Sequence, residues 1–152
     1  MKETPEELEL KRMNFLPGKI TREGFLGTDR RHIHDIIASD VLYLSRRGIT
    51  CQQIGARLQF FIDEGKKGLE NDVEVENYIV KLQWARGMLP CPFGDRTMHH
   101  KIFVTLTNKD LDESIKFSQL NIHLIKEHCF FVGRGCSFRL EPEYLIPFLG
   151  LE

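Results

Sequence analysis

The chain has 152 residues, 41% of them hydrophobic, which is enough to bury a core of its own, and we read 1–152 as a single domain. The formal net charge of −1 is far from the basic balance of most nucleic-acid binders. No stretch approaches the roughly 18 consecutive apolar residues of a membrane span, and the N-terminus lacks the apolar centre of a signal peptide, so the expected location is cytoplasmic.

Residues 1–28 read as an N-terminal helix followed by an arm. Thr4 is the candidate N-cap, Pro5 suits the first helical position, and Glu6 and Glu7 give an acidic first turn. A long helix is expected from about Arg30 to Arg47, capped by Thr28 or Asp29 and stopped by Gly48. Thr50 should cap a second helix, from Cys51 to about Glu64, with Ile54, Leu58 and Phe61 on its inner face.

The hydrophobic period then changes to two. Val73 and Val75, then Tyr78, Val80, Leu82 and Trp84, predict a pair of strands turning at Glu76-Asn77. Ile102, Val104 and Leu106 predict another strand, and Ile115 with Phe117 its partner across Asn108-Lys109-Asp110. Ser118 should cap a helix running to about Phe130, and Glu141-Pro142 should open a short terminal helix through Leu149. The fold class is therefore α+β: N-terminal helices, an antiparallel meander of about four strands, a helix packed across it and a short C-terminal helix.

Polar residues on apolar faces give the first functional candidates. Asp40 falls within the stripe Ile33, Ile36, Ile37, Val41 and Leu44, where an unpaired carboxylate would be costly. Asn121 and His128 project into the apolar arc of the later helix. A buried Asp40–His128 pair would orient an imidazole for proton transfer, with Asn121 lining the same pocket.

The four cysteines, Cys51, Cys91, Cys129 and Cys136, read as reduced thiols in a chain without an export signal. Cys91 stands out, because Pro90 and Pro92 fix its backbone and His99, His100 and Lys101 follow closely, as a nucleophile requires. Cys129 and Cys136 read as packing residues.

The segment Asn121 to His128 invites comparison with a zincin helix, but there the histidines are about four residues apart and share one face. His123 and His128 are five apart, about 140° around a regular helix, so that reading fails. No metal is expected; if one is bound, its ligands are Cys91, one of His99 or His100 (His100 preferred), and His128. The identity of any cofactor is left open by the sequence.

Two features point to an anion. Arg30 and Arg31, with His32, occupy the expected first turn of a helix, where cations are unfavourable unless an anion joins them. Gly133-Arg134-Gly135 offers close backbone approach, with Arg134 and Arg139 as forked donors. A helix-turn-helix reading of residues 46–58 lacks a recognition helix after Leu58 and sits in a near-neutral chain, so nucleic-acid binding ranks only as a lesser alternative.

Taken together, Cys91-Pro92-Phe93, His100-Lys101, Thr107-Asn108, the run Leu120 to Phe131, Gly133-Arg134-Gly135 and Ser137 to Pro142 resemble an uncharacterised group of small bacterial cytosolic proteins. The resemblance spans Leu16 onward. It implies a soluble bacterial domain and carries no mechanism.

The sequence thus predicts a binder, and in its stronger form an enzyme, of a small anionic metabolite. Its pocket would be lined by the Cys91 loop, the helix over 119–130 and the Gly133–Gly135 loop. Arg134, Arg139 or the Arg30–Arg31 pair would hold the charge, His128 with Asp40 would handle protons, and Cys91 would be an optional nucleophile. The alternative is a non-catalytic homodimer using the Tyr78/Val80/Leu82/Trp84 face or the Phe-rich loop over 130–138. Lesser alternatives are a Cys/His metal protein and a helix-turn-helix DNA binder.

Overall fold

The structure is a computed structural model that describes residues 12–151; the helix expected around Thr4-Pro5 lies outside them. Helix α1 spans Ile33–Ser45 and α2 spans Cys51–Lys66. The strands are β1 (Val73–Val75), β2 (Tyr78–Pro90), β3 (Met98–Asn108) and β4 (Glu113–Ser118), followed by α3 (Gln119–His128) and α4 (Pro142–Leu149). They form an antiparallel sheet in the order β1-β2-β3-β4, with α3 crossing it beside α2. The α+β architecture is the one the periodicities predict.

Local chemistry explains most element ends. Thr50 and Ser118 cap α2 and α3 in reciprocal boxes with Gln53 and Asn121. The start of α1 departs from expectation: its N-cap is His32, whose Nδ1 accepts the His34 backbone N–H at 3.2 Å. Arg30 and Arg31 therefore precede the helix. Asp29 does not cap it either, but holds Arg31 through Nε (2.9 Å) and Nη2 (2.7 Å).

The alternating residues pack as the period-two pattern requires. Tyr78, Val80, Val104, Leu106 and Phe117 face α2, where Ile54, Leu58 and Phe61 are fully buried. A second cluster gathers Phe15 and Phe25 of the arm, Ile36, Cys91, Leu124 and Phe130. These contacts bury part of the surfaces named for a homodimer: Tyr78 and Val80 are core, as are Phe130, Phe131 and Val132, while Leu82 and Phe138 are half-buried and Trp84 is exposed.

The long hairpin β2–β3 determines where chemistry collects. Register is regular from Tyr78↔Asn108 to Trp84↔Ile102, shifts by a bulge, and resumes from Met88↔His100 to Pro90↔Met98. The hairpin tip, Cys91 to Thr97, is thereby delivered to the C-terminal end of α3. That helix stops at His128 because Cys129 adopts the left-handed conformation (φ 52°), with its N–H returning to Ile125 and Leu124 carbonyls. Cys129 is bonded to Cys51, the first residue of α2, in a disulfide with Cα atoms 5.5 Å apart. This corrects the reading of both residues as free thiols; Cys91 and Cys136 are the free cysteines.

Candidate metal centre

The hairpin tip is a tight knuckle. Cys91 N–H donates to the Thr97 carbonyl, and Gly94 N–H to the Cys91 carbonyl at 3.1 Å, with Gly94 at φ 75°, a conformation that favours glycine. This turn puts the Cys91 thiol and the Asp95 carboxylate on the side facing α3. Asp95 is oriented through Oδ1, which accepts the Thr97 N–H (3.0 Å) and the Thr97 hydroxyl (2.6 Å). Its Oδ2 points at two imidazoles, 2.7 Å from His123 Nε2 and 2.8 Å from His128 Nε2. Cys91 Sγ lies 3.5 Å from His128 Nε2.

One potential ligand atom from each of Cys91, Asp95, His123 and His128 therefore falls within 4.8 Å of the others. Phe93 stacks on the His128 ring (centroids 4.2 Å apart, planes 13° apart), fixing its orientation and covering one face. On the other flank, the His99 ring lies tilted against His123 (centroids 4.1 Å apart, planes 37° apart) and reaches the Thr97 hydroxyl at 2.8 Å.

The electrostatics suit a cation. Burial opposes ionisation of Asp95, but hydrogen bonds from Thr97, His128 and His123 outweigh it and hold the carboxyl well below the usual range. Burial also pushes the Cys91 thiol up to about 12. A thiol held protonated is a poor free nucleophile, whereas a coordinated metal displaces that proton outright. His99 is lowered by burial and by the neighbouring His123. The donor set of one thiolate, two imidazoles and a carboxylate is one that zinc accepts in tetrahedral geometry.

Several expected site residues lie elsewhere. Asp40 is buried, as its place in the stripe implies, but its partner is Arg139 (2.9 and 3.0 Å) rather than His128, whose carboxylate is Asp95. Arg139 also donates to the Val132 carbonyl (2.7 Å) and to Glu141, so its donors are committed inside the fold. Asn121 is buried by its capping role, accepting from the Ser118 N–H and hydroxyl.

Gly133 and Gly135 do permit a close approach, but of the chain's own arm: a Cβ at Gly133 would collide with the Leu26 carbonyl, and one at Gly135 with Thr28. The contact is sealed by Gly133 N–H to Phe25 O (2.7 Å) and Thr28 N–H to Arg134 O (2.8 Å). Arg134 offers its backbone N–H to Asp29, the carboxylate that also holds Arg31. Arg30 stays exposed outside the helix. The anion donors are thus dispersed or already neutralised.

His100 is also absent from the cluster. Adjacent strand residues point to opposite faces; His99 faces the knuckle, while the exposed His100 pairs with Met88 beside the bulge. Asp95 and His123 went unrecognised, although a signal was present. Three residues separate Cys91 from Asp95 and four separate His123 from His128. A turn with roughly two to four residues between ligands, joined to a helix end with roughly three to five between histidines, is the spacing of many structural zinc sites.

Compared with protein-family models, curated proteins and solved structures, the chain matches none of them. No described helix is long and apolar enough to cross a membrane.

Proposed function

We propose that this protein binds a divalent transition metal, zinc foremost, through Cys91, Asp95, His123 and His128. The observation that carries the reading is the convergence of those side chains from a hairpin tip and a helix end within 4.8 Å of one another. Two imidazole Nε2 atoms and a carboxylate oxygen aimed at a common point need either protons or a cation between them. A buried thiol beside them makes the cation the better occupant. The metal would clamp the hairpin tip to α3. Asp95 is the ligand most open to solvent, with 26% of its side chain exposed against 12% for His123. It is therefore the ligand best placed to yield to water or substrate.

The earlier anion-pocket reading is weaker, because Arg31 and Arg139 already have carboxylate partners.

The test is metal analysis of tag-free protein together with cobalt substitution. Near one equivalent of metal per chain is expected, with a sulfur-to-cobalt absorption band that Cys91→Ser removes and tetrahedral cobalt bands that His123→Ala or His128→Ala reduces. Protein that holds neither zinc nor cobalt against a weak chelator overturns the proposal.

A further inference from the structure

A second feature lies apart from the metal ligands. A cavity of about 250 Å³ sits between the arm, strands β2 and β3, the start of α3 and the loop after it. Its walls are largely apolar: Phe25 from the arm, Leu89 and Phe103 from the sheet, Leu120 from α3, and Val132 and Phe138 from the loop, with the capping pair Ser118 and Asn121 also reaching it, as expected of Asn121 as a pocket residue. An apolar cavity of about 150 Å³ suffices to bind benzene, so this volume accommodates a substituted ring or a short alkyl chain.

The rim identifies the head group. Thr21, Arg22 and Glu23 line one side, and Arg22 and Glu23 are exposed, which marks where the cavity meets solvent. Glu23 is committed: its carboxylate accepts the Ser137 N–H at 2.7 Å and the Ser137 hydroxyl, and those bonds lower its pKa. Arg22 makes no ion pair among the described residues. Among the described residues the entrance therefore presents a guanidinium with no carboxylate partner beside an apolar chamber, which is complementary to a carboxylate carrying a hydrophobic tail.

We infer that this cavity binds a small monocarboxylic acid with an aliphatic or aromatic body, tail inward and carboxylate on Arg22. The proposal is independent of the metal site. Cys136 lines the chamber as a buried free thiol, donating to the Gly24 carbonyl at 3.7 Å, and so reports on occupancy.

The experiment titrates the full chain with butyrate, hexanoate and octanoate, and with octanol as the uncharged control, by calorimetry. Alkylation of Cys136 by N-ethylmaleimide is followed in parallel by site-resolved mass spectrometry. Affinity should rise about fourfold per methylene until the chamber is full. Octanoate should bind more tightly than octanol, and saturating octanoate should slow Cys136 alkylation several-fold. Arg22→Ala, an exposed substitution, should remove the preference for the acid while leaving octanol binding unchanged. Absence of chain-length dependence, or unaltered Cys136 alkylation at saturation, overturns the proposal. Acid binding lost in His128→Ala but kept in Arg22→Ala would move the carboxylate to the metal and overturn it equally, while leaving the metal reading intact.

Discussion

The protonation states at the knuckle lead to a measurable proton count on metal binding. Burial holds the Cys91 thiol near 12, so in the metal-free protein it carries its proton throughout the neutral and mildly alkaline range. Asp95 is lowered and already ionised there, so it has no proton to lose. Zinc must therefore expel about one proton from Cys91, and the thiol's share of the apparent affinity rises about tenfold per pH unit. An ordinary thiol, with a pKa of about 8.5, would release only about half a proton at that pH and very little a unit higher. The buried thiol should still release nearly a whole proton near pH 9.5. Calorimetry in two buffers of different ionisation enthalpy, against a competing chelator, gives the count. The wild-type value minus that of Cys91→Ser isolates the thiol, whatever the histidines release. Equal counts in the two proteins would mean that the thiol does not coordinate or is already ionised. A count fading above pH 8.5 would refute the burial argument while leaving coordination in place.

Other outcomes test the framework around the site. Arg139 and Asp40 form a doubly hydrogen-bonded pair with side chains 6% and 8% exposed. Arg139→Met strands a buried carboxylate and should cost about 3–5 kcal/mol in urea unfolding. Asp40→Leu should cost less, because Arg139 keeps Glu141 and Val132, and the double substitution should recover much of the loss; simple additivity would contradict the pairing. Gly135→Ala combines a φ of 86° with a Cβ against Thr28, so we expect a loss of about 1–3 kcal/mol and detachment of the arm, read as faster proteolysis near residues 21–28. The bridge between Cys51 and Cys129 closes a separation of 78 residues. In the chain-entropy picture its reduction costs about 4–5 kcal/mol, and denatured, unreduced protein should show thiols only at Cys91 and Cys136; a count of four would remove the bridge.

How much of this was legible in the residues depends on the range of the interaction. Strand alternation, the Thr50 and Ser118 caps and the Asn108-Lys109-Asp110 turn are local, and each element came out within a few residues. The exceptions follow the same rule. Helix α1 starts late because Asp29, free to cap it, is instead claimed by Arg31 beside it and by Arg134 across the fold. Burial of Asp40 was readable from its stripe, but the identity of its partner was not, since Arg139 lies 99 residues away. Gly133 and Gly135 announced a close approach correctly; the sequence had no means of saying that the approaching backbone was Leu26 to Thr28.

The candidate centre illustrates a different limit. His123 and His128 were set aside because a regular helix spreads them about 140° apart, an argument that treats the helix as the only source of geometry. In the fold, His128 is the last helical residue, its ring is turned and held by stacking on Phe93, and the receiving atoms come from a separate hairpin. Angular separation on one helix excludes a two-ligand clamp built by that helix alone; it does not exclude two ligands meeting a knuckle placed between them. Asp95 provides that meeting point, and it also makes the site unusual, because a carboxylate stands where a second thiolate would close a structural zinc centre. Asp95→Cys should therefore tighten zinc retention against a chelator by an order of magnitude or more. If the native centre works through an exchangeable ligand, the same substitution should slow metal exchange with added cobalt. Retention unchanged by Asp95→Cys, or equal in Asp95→Ala and wild type, would show that the carboxylate is not a ligand and reduce the centre to Cys91, His123 and His128.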